Sequence, residues 1–257
     1  MDHREIALKL IEAERKRSPI DPLTSTYQGL SVNDAYKVQL EGVKIKIGLG
    51  RKVIGKKIGL TSKAMQDLLG VKEPDYGHLL DDMLILQGQP CKREDLIQPK
   101  VEGEIAFVLG DTLKGPGVTM TDVLKATEFV IPAIEIVDSR IRDWKIKLED
   151  TIADNASSAR FILGSKAVPV KNLDLRLIGM ILEKNGRVMS TGAGAAVWGH
   201  PAAAVAWLAN KLAEFGVALE AGEIILSGAV TAALDASKGD VFTVAFYELG
   251  SVTVYFE

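Results

Sequence analysis

The sequence predicts an α/β (α+β) protein, with a small helical N-terminal part followed by a β-rich, mostly antiparallel body. Three observations predict it. In the first fifty residues, apolar positions sit among charged ones as on helices. From Val53 onward the texture changes to short aliphatic runs broken by Gly, Pro and Asp, which read as strands. Asn185-Gly186, between Leu182 and Val188, is a two-residue hairpin signal and favours antiparallel pairing. The change of texture divides the chain into a helical part, 1–52, and a β-rich part, 53–257.

Taken in order, Ile6, Leu8, Leu10 and Ile11 lie among charged residues, and Arg15-Lys16-Arg17 supplies a basic C-terminal turn for a first helix. Pro19 to Gly29 is loop-like. Ser31 is a helix N-cap with Asp34 in the first turn, for a helix carrying Ala35, Val38, Leu40 and Val43 that Gly48 and Gly50 end. Strands are expected over Val53–Ile58, Gly103–Leu109, Phe129–Val137, Arg160–Leu163, Leu175–Lys184, Ile224–Ser227, Asp240–Phe246 and Ser251–Phe256. One amphipathic helix interrupts them, from Pro201 to Phe215, stopped by Gly216.

Bulk properties remove several function classes. At 257 residues the chain can bury a sizeable core. A formal net charge of −3 with interspersed signs points away from a nucleic-acid partner. The single cysteine, Cys91, excludes an internal disulfide and suits a reducing cytoplasm. The charged N-terminus lacks a signal-peptide hydrophobic region, and no apolar run reaches transmembrane length, so a soluble cytoplasmic protein is expected.

The chemistry concentrates in carboxylates. Glu102-Gly103-Glu104 lies in one expected strand, so its two glutamates point to one face about 7 Å apart, from ~3.3 Å of rise per residue. A third carboxylate, Glu135, sits in the apolar run Ile131–Val137. Carboxylates buried this close repel each other unless a cation lies between them, and a hard divalent ion with oxygen ligands resolves the conflict. The competing account, a solvated sheet face, fits poorly with such apolar flanks.

Lys56 and Lys57 face opposite ways in a strand, so one can point inward; a lysine beside a metal and other cations would have a depressed pKa and move protons near neutral pH. Two lysines on an edge strand are the alternative. Gly59-Leu60-Thr61-Ser62 suits close backbone approach and a ligand carboxylate. Glu73-Pro74-Asp75-Tyr76-Gly77-His78 is a turn by composition, in which Asp75 either caps the turn or serves as a general base. His78 reads as packed or surface, His200 as a helix-entry residue, and His3 as mobile. The small polar run Asp150–Ser158 is either a loop or a hydrogen-bonding wall for a polar ligand. Gly192-Ala193-Gly194 lacks the rest of a dinucleotide fingerprint, and no Walker A sequence, zinc-type cluster or nucleophile elbow is present.

The segments Lys57–Ser62, Glu73–Gly77, Pro99–Glu104, Ile131–Glu135 and Asp150–Ser158 together resemble the 2-hydroxypenta-2,4-dienoate (2-oxopent-4-enoate) hydratases. These belong to the hydratase/decarboxylase branch of the fumarylacetoacetate-hydrolase-like family. The resemblance implies a mixed, rolled-up β-sheet core, homo-oligomeric assembly and a Mg²⁺ or Mn²⁺ ion held by Glu102, Glu104 and Glu135. It implies water addition to a 2-hydroxy-2,4-dienoate, giving a 4-hydroxy-2-oxo acid, in meta-cleavage degradation of aromatic compounds. In that reading Lys57 transfers a proton or stabilises an enolate, and Asp75 orients or deprotonates water. Ser157 or Ser158, with the Gly59 and Leu60 amides, grips the substrate carboxylate, and Ser227-Gly228 forms a further wall. The alternative is a 4-oxalocrotonate (2-oxohex-3-enedioate) decarboxylase; the versions of Lys56–Lys63, Tyr76–Met83 and Ile141–Lys145 favour the hydratase. Association with the partner enzyme of the pathway is expected, and a non-catalytic oligomeric partner is a third reading.

Overall fold

Asp2 opens the first helix, α1 (His3–Lys16), by accepting a hydrogen bond from the Glu5 amide, and Arg17 ends it in a left-handed conformation. The computed structural model describes residues 1–63, 66–67 and 70–257. After a single turn, α2 (Leu23–Thr26), comes α3 (Val32–Gly48), whose Ser31 and Asp34 form a reciprocal capping box. α1 and α3 pack together through Ile6, Ala7, Leu10 and Val38. His3 differs from expectation: its Nε2 lies 2.9 Å from Asp34 Oδ1, tying the two helices together at their N-terminal ends.

Among the described residues, two sheets form the body. The larger has eight strands, β1 (Val53–Gly59), β2 (Asp75–Leu80), β3 (Leu84–Ile85), β4 (Lys100–Leu109), β5 (Thr127–Val137), β6 (Ser158–Leu163), β9 (Ile224–Leu226) and β10 (Leu234–Asp235). Their order is β2-β1-β9-β4-β5-β6-β3, with β10 on β4. It is a mixed, curled sheet: β1–β9 and β3–β6 are parallel, the other pairs antiparallel. The smaller sheet, in the order β12-β11-β7-β8, comprises β7 (Gly179–Lys184), β8 (Arg187–Ala193), β11 (Val241–Phe246) and β12 (Gly250–Tyr255). Asn185 and Gly186 both have positive φ, 54° and 73°, as a tight β7–β8 hairpin requires.

The body also carries α4 (Met120–Ala126), α5 (Leu148–Ala153) and α6 (Pro201–Ala213), the last entered through His200, whose ring accepts from the Ala202 amide. Of these only α6 follows from the helical period; α4 and α5 are too short to display one. The segment expected as a turn, Glu73–His78, is instead mostly strand. β2 begins at Asp75 and is buried along its whole length, because pairing with β1 and packing against α5 override its turn-like composition.

Gly103 explains how the Glu-x-Glu strand fits the core. It points opposite to Glu102 and Glu104, into the interface between the sheets, where an added Cβ would lie 2.6 Å from Met180 Sδ and 3.0 Å from Val244 Cγ1. Glycine is the residue that lets β4 approach the second sheet while keeping both carboxylates on the other face.

Candidate active site

β4 and β5 bring the three glutamates together. Glu102 stands directly opposite Glu135 in the antiparallel register, and Glu104 follows on the same face of β4. One carboxylate oxygen from each lies within 4.8 Å of the others. Glu104 and Glu135 are fully buried. Burial, reinforced by the neighbouring Glu135 charge, pushes the Glu102 carboxyl up to about 7 and that of Glu104 well above the carboxylate range. Among the described residues, Glu104 Oε1 is a buried acceptor without a hydrogen-bond partner, and Glu135 Oε2 has none beyond its ion pair with Lys57. Three converging carboxylates, one with an unsatisfied buried oxygen, fit a hard divalent cation, which would hold all three ionised.

The second oxygens of Glu104 and Glu135 are committed. The Gly228 amide donates to Glu104 Oε2 at 2.8 Å, and Ser158 Oγ donates to Glu135 Oε1 at 2.7 Å. Lys57 Nζ is 3.1 Å from Glu135 Oε2 and donates to the Ala156 carbonyl at 3.1 Å. Strand alternation sends its neighbour Lys56 to the opposite face, where it pairs with Glu223 at 2.5 Å. Both lysines are buried, so neither lies on an exposed edge. Burial alone would lower the Lys57 pKa, but Glu135, Asp75, Glu102 and Glu104 together outweigh it and raise it. The depression expected from the sequence was for a lysine beside a metal and other cations; the four carboxylates by themselves act in the opposite direction.

Asp75 enters from β2, opposite Gly59 in the register. A Cβ on Gly59 would stand 2.2 Å from Asp75 Oδ1 and 3.3 Å from Lys57 Nζ, so the acid and the lysine converge on a backbone position that must lack a side chain. Burial, then the Glu135 charge, raises the Asp75 pKa against the opposing effect of Lys57. Its Oδ2 accepts from Thr151 Oγ1 at 3.5 Å, while Oδ1 has no partner among the described residues. Leu60, next in the chain, takes a left-handed φ of 56°, and its carbonyl accepts from Gln66 Nε2 at 2.7 Å.

The run Asn155-Ala156-Ser157 adopts three successive left-handed conformations, φ 56°, 50° and 55°. Such backbone persists only where surroundings enforce it. Asn155 clamps β2, with Oδ1 accepting from the His78 amide at 2.8 Å and Nδ2 donating to its carbonyl at 2.9 Å. Arg140 anchors the preceding residue, Asp154, through its side chain and its backbone amide, the latter at 2.8 Å. The turn therefore delivers the Ala156 carbonyl to Lys57, Ser157 to the cavity and Ser158 to Glu135. His78 itself is buried, with Nδ1 3.1 Å from Gln39 Oε1.

A cavity of about 310 Å³ opens over Lys57, Gly59, Leu60, Asp75, Glu102, Thr151 and Ser157, with Val137, Trp144, Ile146 and Ala233 as an apolar wall and Lys100 alongside. A second space shares Gly59, Leu60, Lys100, Glu102 and Ala233 and continues along residues 229–233. The sequence-derived residues thus fall into two layers. Lys57, Asp75, Glu102, Gly59, Leu60 and Ser157 line the cavity, whereas Glu104, Glu135 and Ser158 lie behind it in the carboxylate cluster. Ser227 lines neither space; it is fully buried, its Oγ without a hydrogen-bond partner among the described residues, and residues 229–233 form the wall expected of Ser227-Gly228. Sequence reasoning reached Thr151 and Asn155 only as members of the Asp150–Ser158 run and gave no site role to Arg140, Trp144 or Lys100. A polar Asp138-Ser139-Arg140 triplet directly after a buried strand was the available signal for Arg140.

The fumarylacetoacetate (FAA) hydrolase C-terminal family matches residues 55–256. The chain is 48% identical to a 2-hydroxyhexa-2,4-dienoate hydratase of Comamonas testosteroni, over 96% of this chain and 95% of that one. It is 53% identical to a 2-hydroxypent-2,4-dienoate hydratase of Pseudomonas putida, over 83% and 97%. A 4-oxalocrotonate decarboxylase from Pseudomonas putida G7, solved with magnesium and adipate, superposes with a TM-score of 0.97 at 41% identity, over 99% of this chain and 97% of that one.

Proposed function

This chain belongs to the fumarylacetoacetate hydrolase family, and on that premise we propose that it is a metal-dependent hydratase. It adds water to 2-hydroxypenta-2,4-dienoate, giving 4-hydroxy-2-oxopentanoate, in meta-cleavage degradation of aromatic compounds. The observation that carries this reading is the convergence of the Glu102–Glu104–Glu135 cluster, Lys57 and Asp75 around one cavity.

Glu102, Glu104 and Glu135 would hold the cation, Mg²⁺ or Mn²⁺. When bound, it supplies Lewis-acid stabilisation for charge developing on the substrate's 2-oxygen. Ser157 Oγ and the Gly59 and Leu60 amides orient the substrate carboxylate, and Ser158 and the Gly228 amide orient the carboxylate ligands. Ketonisation moves the 2-hydroxyl proton to C5 and leaves a C3=C4 double bond conjugated to the ketone. Lys57, kept protonated by its carboxylate neighbours, holds and relays that proton and stabilises the enolate. Asp75 then takes a proton from water as its oxygen bonds C4, and C3 gains a proton, so one water is added overall. A carboxylate with a raised pKa is a stronger base than an ordinary one, which suits Asp75 to this step. The segments 1–52 and 53–257 serve as helical buttress and catalytic domain.

Decarboxylation of 2-oxohex-3-enedioate is the second reading, favoured by the likeness to the decarboxylase over 99% of the chain. A non-catalytic role would not require five ionisable groups gathered in one buried site. Purified protein with Mg²⁺ is offered each substrate separately, following ultraviolet loss and product mass. A gain of one water from the pentadienoate supports the hydratase; CO₂ from the hexenedioate without hydration of the first overturns it. Lys57→Met should lower turnover ~10²–10⁴-fold while calorimetric Mg²⁺ binding persists; unchanged turnover removes its assigned role.

We also infer a homo-oligomer. β8 is a sheet edge carrying the exposed Val188 and Met189, with Leu177 and Ile181 exposed nearby, the kind of apolar edge that proteins cover. Light scattering should give a mass that is a multiple of 27.7 kDa, and a monomer would refute it. Association with the partner enzyme of the pathway fits the same edge.

A further inference from the structure

Lys100 is the one cation at the apolar end of the cavity among the described lining residues. It precedes Glu102 by two residues on β4, so Lys100, Glu102 and Glu104 share a face and Lys100 lies about 7 Å along the strand from Glu102. Around it the wall is Val137, Trp144, Ile146 and Ala233, which offer no hydrogen-bonding side chain except the indole N–H. That N–H is already spent, donating to the Gln98 carbonyl at 3.0 Å. The ammonium rests over the Trp144 ring, 5.6 Å from its centroid, and pairs at 2.5 Å with Asp235 on β10, which faces Lys100 across the strand pair. The Asp235 side chain is 83% exposed, so this ion pair is screened by solvent and contributes little. It can be exchanged for another carboxylate at small cost, while the indole keeps the ammonium in place.

A dienoate whose carboxylate end lies at the glutamate cluster would have its far end within reach of Lys100, since Glu102 and Lys100 line the same cavity. A methyl or hydrogen terminus would meet only the apolar wall; a carboxylate terminus would meet Lys100. We propose that Lys100 is a specificity-determining residue that reads a second carboxylate at the far end of the substrate, exchanging Asp235 for it. The site then also hydrates dicarboxylic 2-hydroxy-2,4-dienoates. The inference rests on the proposed hydratase activity for its reaction, though not for its binding. The reaction is unchanged, with the oxygen of water bonding C4 and its proton ending on carbon, and the distal carboxylate takes no part in bond making.

The test compares kcat/KM for 2-hydroxypenta-2,4-dienoate and 2-hydroxyhepta-2,4-dienedioate in the wild type, Lys100→Met, Lys100→Arg and Asp235→Asn. Methionine keeps the unbranched stem over Trp144. The preference for the dicarboxylate should fall about tenfold or more in Lys100→Met, through KM rather than kcat. It should persist in Lys100→Arg and rise severalfold in Asp235→Asn. Equal proportional changes for both substrates, or hydration of the pentadienoate alone by the wild type, overturn the proposal. Calorimetry with Mg²⁺ separates it from the activity: the wild type should bind adipate more tightly than hexanoate, and Lys100→Met should lose that difference. If neither dienoate reacts but the adipate preference follows Lys100, the carboxylate reader stands and the hydratase reading fails. Equal binding of adipate and hexanoate by the wild type refutes the reader.

Discussion

His78 illustrates how one residue's surroundings set its chemistry. Its ring is buried beside Gln39, with Lys56 nearby, and burial first, then the Lys56 charge, lowers its pKa from 6.5 to about 4. The fold therefore prefers the neutral ring. Its stabilising contribution is fully present above pH 6.5 and is lost as pH falls toward 4, where the unfolded chain gains a proton that the folded chain refuses. Across that window the loss is roughly 3 kcal/mol, from about 1.4 kcal/mol per unit of difference. Urea unfolding at stepped pH should show it, and His78→Gln should flatten that part of the profile; an identical slope in the variant would exclude His78 as the source. At the same scale Lys56 and Lys57 divide between two faces of one strand. Alternation predicts the division, but which lysine faces the carboxylates depends on the position of β5, outside their local sequence.

At the scale of elements, the β4–β5 pair is the scaffold of the candidate site. Its ten paired positions place Glu102 against Glu135, and a one-residue slip would send both glutamates of β4 to the interface between the sheets. Gly103 holds that arrangement because Met180 and Val244 leave no room for a Cβ. Gly103→Ala should cost about 1–3 kcal/mol of stability through overpacking. Because relief requires β4 to move, it should also weaken Mg²⁺ binding, read together by thermal unfolding and calorimetry. Wild-type affinity with lowered stability would place the strain elsewhere. The left-handed 155–157 turn is the second scaffold element. Its composition, small and polar, is equally that of a loop; what turns it into a support for Lys57 and Glu135 is the grip of Asn155 on β2 and of Arg140 on Asp154.

For the whole molecule, the carboxylate cluster links stability to metal. Three glutamates confined within 4.8 Å destabilise the metal-free protein when ionised, and a ligand bound only by the folded state stabilises it by mass action. Mg²⁺ at a hundredfold excess over its Kd should add about 2.7 kcal/mol. The melting temperature should rise on adding Mg²⁺ and fall back with EDTA, and Glu104→Gln should remove most of that response. A full response in that variant would move the metal away from the cluster.

Much of this was legible in the chain itself. Strand periods, the Asn185-Gly186 hairpin, the Ser31 cap and the Glu-x-Glu spacing are local properties, governed by backbone sterics and by which side chains share a face. The family resemblance likewise rests on short ordered motifs. Tertiary structure decided the rest, because those facts depend on residues far apart in sequence. It made a strand of a segment with turn composition, raised the Lys57 pKa through four carboxylates from three strands, and turned Ser158 toward Glu135 while Ser157 faces the cavity. It also set Lys100 between Trp144 and Asp235. Local sequence settles which face a side chain takes; only the assembled sheet settles what stands opposite it.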